Sequence, residues 1–339
     1  MTIDGRPKQS GSELPVSPRA RVPLPQAAAP LCPGIHALHV GMPKAASTFL
    51  QQVAFAKHPE INLLWEPGIP LYFELRDRCD QSDFNLKHFS QRLNDYLDSR
   101  QFPQGNTTVA SFEGFCGPQL HCGCARQITQ SLRQLVGRVP VLVVLRNPYR
   151  LLYSIWAQYV KEGGRLSLQD FLRQEDAPSR PADLQQGIYQ RVEYASYLQL
   201  LADSFGRENV HVLLFEDFQN HFAQFMQEMF EVLGVDSSVE IPNQILWRSP
   251  NYRNANLFRQ LNRWCCSKQN QGLLPYWVYL KYRLWFDRRV FPSRKWNPSQ
   301  AVDVRRWLPD IARAKIQRSN RAVADWMRRE LAELGYDLG

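Results

Sequence analysis

The sequence predicts an α/β fold: a central parallel sheet with helices on both faces, followed by a helical C-terminal part from about residue 244. Three observations carry this. Short apolar runs alternate with segments of helical period between residues 35 and 233. The most hydrophobic run, "VPVLVVLR" at 139–146, is apolar throughout rather than alternating, as in a strand covered on both sides. After residue 244 helical and loop-like segments continue, but no strong strand recurs.

Taken in order, Ile35 to Val40 reads as the first strand, and Ser47 to Lys57 as a helix with Phe49, Leu50, Val53 and Ala54 on one side. Ile61 to Leu64 is a second short strand, and "LKHFSQRLNDYL" an amphipathic helix. "TTVASF" (107–112) is a third strand, with a helix over about 123–136 behind it. The buried run at 139–146 is the fourth. Pro148 then sits in the first turn of a helix, where its missing N–H costs nothing, and Gly163-Gly164 ends that helix after Lys161. A helix over 186–204 leads into "ENVHVLLFEDF", a fifth buried strand, and a helix through "FAQFMQEMFEVLG".

The bulk numbers set bounds. At 339 residues the chain can bury a sizeable core. Residues 1–33 are rich in Pro, Ala, Ser and Arg without a periodic apolar face, so a disordered lead-in is expected, with residues 34–339 forming one domain. No apolar h-region follows the first charges, and no window of about eighteen apolar residues occurs, so a cytoplasmic protein without a transmembrane segment is expected. The net charge of +9 favours anionic partners. The seven cysteines are irregularly spaced. Cys116, His121, Cys122 and Cys124 cluster, but Cys122-Gly-Cys124 is too tight for a usual zinc knuckle, and no metal is expected.

In parallel sheets ligands gather at the carboxyl ends of the strands, here Met42–Thr48, Leu64–Glu66, Phe112–Gly114, Arg146–Asn147 and Glu216–Asp217. In Pro43-Lys44-Ala45-Ala46-Ser47-Thr48, small residues let backbone N–H groups approach an anion. The following helix start, two hydroxyls and a lysine add to it. The same residues also describe a capped helix start with a surface lysine. A nucleotide kinase would carry a longer glycine loop ending in Lys-Ser/Thr. Downstream, Arg146 ends the central strand and Ser154 lies about two turns into the next helix, one turn beyond Arg150, a second candidate anion site.

Together the two sites resemble the nucleotide-binding motifs of the PAPS-dependent sulfotransferases, whose donor is 3′-phosphoadenosine 5′-phosphosulfate. Pro43-Lys44-Ala45-Ala46-Ser47-Thr48-Phe49-Leu50 is similar to the family's Pro-Lys-x-Gly-Thr-Thr-x-Leu, with Ala46 in place of glycine. Arg146, Pro148 and Ser154 match its second motif. The resemblance implies a P-loop sulfotransferase-like fold over about 35–339. It also implies a 5′-phosphosulfate loop made of Pro43, Lys44, Ala45, Ala46, Ser47, Thr48 and Phe49, and a 3′-phosphate site made of Arg146 and Ser154. Arg253 is a loose match to a later loop over the nucleotide. By the same resemblance Lys44 steadies the leaving group, and the general base is Glu66 first or Glu113 second. The product would be 3′,5′-bisphosphoadenosine and the acceptor a hydroxyl on a glycan, phenol or lipid, with no nucleic-acid partner. The alternatives are a non-catalytic anion- or glycan-binding protein on the same fold and an ATP-dependent P-loop kinase.

Overall fold

The structure is a computed structural model that describes residues 29–65, 70–117, 124–173, 189–243, 252–265, 267, 273–289 and 302–339. Its centre is one five-stranded sheet of β1 (Ala37–His39), β2 (Ile61–Leu64), β3 (Thr107–Ser111), β4 (Val141–Leu145) and β5 (Val210–Leu214), in the order β2-β3-β1-β4-β5 with every pair parallel. β4 is buried along its whole length, which is why it carries only Val and Leu.

The order fixes where loops open. From β1 the chain crosses to the far edge at β2, returns to β3, and then passes β1 to reach β4. With right-handed crossovers, the connections leaving β1 and β3 lie on opposite faces, so a crevice opens between the carboxyl ends of those two strands. On the first face α1 begins as an α-helical turn, Ser47–Phe49, and widens to π geometry over Leu50–Phe55. Phe49 meets Phe218 of α8 (Phe215–Asn220) and Phe222 of α9 (Phe222–Leu233) at ring separations of 5.0 and 5.7 Å. On the other face α4 (Ala125–Val136) packs on α7 (Tyr194–Phe205), and α7 on α12 (Asp310–Met327). The remaining helices are α2 (Pro70–Arg78), α3 (Leu86–Ser99), α5 (Pro148–Lys161), α6 (Leu168–Arg173), α10 (Tyr252–Asn262) and α11 (Tyr276–Arg289). Among the described residues no helix is long and apolar enough to cross a membrane.

Three expectations need adjustment. Residues 1–28 of the expected lead-in lie outside the described residues, but Leu31 and Cys32 donate backbone hydrogen bonds to Gln134 and Leu135, and Cys32 is fully buried. Leu31 and Cys32 are thus packed against the end of α4 rather than part of a disordered lead-in. The fifth strand stops at Leu214: "FEDF" is helical, since Phe215 and Phe218, three apart, share one face of α8 and stack at 5.8 Å. The helix read over 186–204 divides at Glu193, whose ψ of 64° is not helical.

Candidate active site

The loop after β1 has two residues in the left-handed region, Lys44 and Ala46, each with φ of 65°. Alternate positive φ values curl a chain so that successive N–H groups point into one concavity, the geometry of a backbone anion nest. Glycine suits such positions because it has no Cβ to crowd the carbonyl. Gly41 serves a different purpose. A Cβ there would lie 2.7 Å from Ser47 Oγ and 2.9 Å from His39 Cε1, so only glycine lets the loop fold back over the strand end.

Lys44 and Glu113 come from the two sides of the crevice. Glu113 opens the 3-10 turn Glu113–Cys116 that follows β3, whose Ala110 and Ser111 pair with Leu38 and His39 of β1. Both side chains are half-buried. Burial pushes the Glu113 carboxyl above the usual range, and the attraction of Lys44 with a hydrogen bond from Ser47 pulls it back only in part. Burial likewise lowers Lys44, offset in part by Glu113 and Glu162. The Ser47 hydroxyl, 3.3 Å from Met42 O, lies beside the Glu113 carboxyl and acts to lower it. Lys44 Nζ donates to Gln158 Oε1 at 2.9 Å, and Gln158 Nε2 donates to Glu162 Oε1 at 2.6 Å. Sequence reasoning missed Gln158. The signal was there, since residues 150, 154 and 158 recur every four positions along one side of α5.

Arg146 braces the loop from the end of β4. Its Nη1 donates to Lys44 O at 2.8 Å, and its guanidinium lies 4.5 Å from the Phe215 ring centre. Tyr194 Oη donates to Arg146 O at 2.6 Å. Asn147 then caps α5, its Oδ1 accepting from Tyr149 N and Arg150 N at 3.1 and 3.3 Å. Ser154 is buried in α5. Glu216 is a structural tie, accepting from Asn147 N at 3.0 Å and Tyr336 Oη at 3.2 Å, while Asp217 pairs with Arg329. The last turn of the chain is stitched here too: Asn147 Nδ2 donates to Gly335 O at 2.7 Å and Tyr149 Oη to Asp337 Oδ2 at 2.9 Å.

Of the other expected site residues, Pro43, Ala45, Ser47, Thr48 and Phe49 lie in the loop and the first turn of α1. Arg253 is exposed in the first turn of α10, which packs on α5. Glu66 lies outside the described residues, as do His121 and Cys122. Among the described residues no group of three or more His, Cys, Asp or Glu could hold a metal ion. Cys116 donates to Glu113 O at 3.0 Å, and burial raises its thiol.

A polar cluster beneath the loop was not legible in the sequence. Because His39 pairs with Ser111 in register, their side chains meet on one face, with Nδ1 and Oγ 2.7 Å apart. Gln51 reaches the same hydroxyl from α1, its Nε2 donating at 3.0 Å. Ser111 Oγ can either donate to His39 Nδ1 or accept from it, according to the imidazole tautomer. His39 Nε2 is buried and has no partner among the described residues. Full burial lowers the imidazole to about 4. Above this cluster, the nest of loop N–H groups suits an anion bearing phosphate or sulfate oxygens.

No known protein-family pattern matches the chain, and no curated protein does. Several solved structures do. A sulfotransferase from Alicyclobacillus acidocaldarius is 18% identical over 68% of this chain and 92% of its own, with a TM-score of 0.48. A mouse sulfotransferase in complex with PAP is 11% identical over 87% of this chain and 84% of its own, with a TM-score of 0.36. The sulfotransferase domain of the curacin biosynthetic pathway is 14% identical over 87% of this chain and 98% of its own, with a TM-score of 0.38. All three of these solved structures are sulfotransferases.

Proposed function

We propose that residues 34–339 form a sulfotransferase that moves a sulfuryl group from PAPS to a hydroxyl-bearing acceptor, releasing 3′,5′-bisphosphoadenosine. The observation that carries this is the placement of Lys44 and Glu113 on the two sides of the β1–β3 crevice, near enough for each charge to act on the other, beside a loop whose N–H groups curl into a nest. A cation and a carboxylate so placed suit an in-line displacement at sulfur. The acceptor oxygen forms its bond to sulfur as the sulfur–oxygen bond to the phosphate breaks. Glu113 takes the acceptor proton, and its raised acidity range makes it a better base once ionised. Lys44 meets the charge that grows on the leaving oxygen, which is electrostatic stabilisation. For that it must leave Gln158, a short move for a flexible side chain.

Glu113 is proposed ahead of Glu66 because it sits beside Lys44 and Ser47. Ser47, Thr48 and the loop N–H groups hold the 5′ end of the nucleotide, and Arg146, Ser154 and Arg253 are proposed for its other end. The reading is tested by thermal shift with 3′,5′-bisphosphoadenosine and by transfer of labelled sulfate from PAPS to a panel of sugars, phenols and lipids. A melting temperature raised by the bisphosphate but unmoved by ATP with Mg²⁺ is expected. No shift at saturating bisphosphate would defeat the assignment. Stabilisation without transfer to any acceptor would favour a binding protein on the same fold.

A further inference from the structure

We propose that α10 and α11 form a docking surface for an anionic lipid bilayer, a property separate from sulfuryl transfer. Surface helices normally present a polar outer face. α11 is apolar on both sides. Its inner side packs Tyr279, Tyr282 and Phe286 against Phe258 of α10, with ring separations of 4.8 to 6.5 Å. Its outer side leaves Trp277, Leu284 and Trp285 more than half exposed, at 57, 55 and 56%. α10 adds Leu257 and Leu261, four residues apart and so on one face, and the turn that follows it adds the exposed Trp264. The two helices are joined by a hydrogen bond from Leu274 N to Trp264 O at 2.7 Å. Of the twelve large apolar side chains exposed among the described residues, ten fall between 257 and 285. An exposed apolar patch of this kind marks an interaction site.

The charge identifies the occupant. Residues 251–300 contain ten lysines and arginines and one acid, Asp287, a surplus of nine that equals the net charge of the whole chain. Outside this segment the protein is balanced. A second copy would bring the same surplus against it and is disfavoured. A nucleic acid would meet the basic residues but leave Leu257 and Leu284 in water. A bilayer with anionic headgroups satisfies both features, taking leucines into the acyl boundary and tryptophans at the headgroup level. Lys281 already has the needed posture, exposed with its Nζ 4.8 Å from the Trp277 ring centre.

The experiment is flotation of the full chain with vesicles of phosphatidylcholine alone and with about one-third phosphatidylserine added. Binding to the anionic vesicles alone, weakened by salt, is expected. Trp277→Ser/Leu284→Ser/Trp285→Ser should weaken it by about tenfold or more at an unchanged melting temperature, because these side chains are exposed. If that variant melts early, Lys281→Glu, which removes no apolar group, should still weaken binding by about tenfold. Absence of binding to both vesicle types, equal binding to both, or full binding by the variants would overturn the proposal. So would self-association that the triple substitution abolishes without any vesicle binding.

Discussion

Replacing Ala46 by glycine should stabilise the protein, although it removes a methyl group. Ala46 has φ of 65° and ψ of 3° at the entrance to α1, with no side-chain cap to compensate. A non-glycine residue held there costs about 1–3 kcal/mol, and glycine costs about 0.5–1 kcal/mol more than alanine in backbone entropy. The difference leaves Ala46→Gly more stable by about 1 kcal/mol. For a chain of this size that raises the melting temperature by about 2 °C. The molecule supplies its own calibration. Gly234, at the end of α9, has φ of 66° and ψ of 34°, and a Cβ there would meet nothing within 4 Å. Gly234→Ala therefore reports the backbone conformation alone and should cost about 1 kcal/mol. Calorimetry of both variants should give shifts of similar size and opposite sign. If Gly234→Ala lowers the melting temperature while Ala46→Gly leaves it unchanged or lowers it, the strained loop described here is refuted.

Glu113→Gln should lower kcat by about a hundredfold or more with the bisphosphate-induced thermal shift retained; an unchanged kcat with Glu66→Gln inactive would move the base to Glu66. Because burial raises Glu113, the acidic limb of the wild-type kcat/KM profile should lie above the ordinary glutamate value of 4.5, and a limb at or below that value would deny the carboxylate its role. His39 titrates near 4 in the fold and near its ordinary 6.5 when unfolded, so the unfolded chain binds the extra proton between those values. Stability should fall as pH drops from 6.5 to 4, by about 3 kcal/mol for this group, and chemical unfolding of His39→Gln should show a shallower loss over that window. Asn147→Ala should cost about 2 kcal/mol in denaturant unfolding by losing both its cap and its bond to Gly335, whereas Asn147→Asp, which keeps the cap acceptor, should lose about half of that.

Much of the fold could be read from the chain because its strands are short apolar runs between helical periods. β2 is Ile61–Leu64 as expected, and Lys44, Glu113 and Arg146 lie just after β1, β3 and β4. The errors came where one residue type serves two structures. Phe215 and Phe218 prolong the apolar run of β5 by composition, yet their spacing belongs to α8. α2 was missed although Pro70 opens it. The site was legible only where a residue type implies its chemistry, as for the lysine loop. The pairing of His39 with Ser111 spans 72 residues and depends on strand register, which no local pattern records. Gln158 failed to stand out because an amide has no chemistry of its own until a lysine is placed beside it.

The ties from Asn147 and Tyr149 to Gly335 and Asp337 span 188 residues. They have a consequence for biosynthesis. A chain emerging from the ribosome can assemble the β1 loop and β4 long before residues 335–337 exist, but the start of α5 stays without two of its anchors until then. The arginine end of the site is therefore completed well after the lysine loop, and a translation product that stops short of Gly335 should hold the lysine loop without a fixed opposite wall. A parallel sheet already demands distant contacts, which slows folding. Here residues 335–337 set when the site is finished.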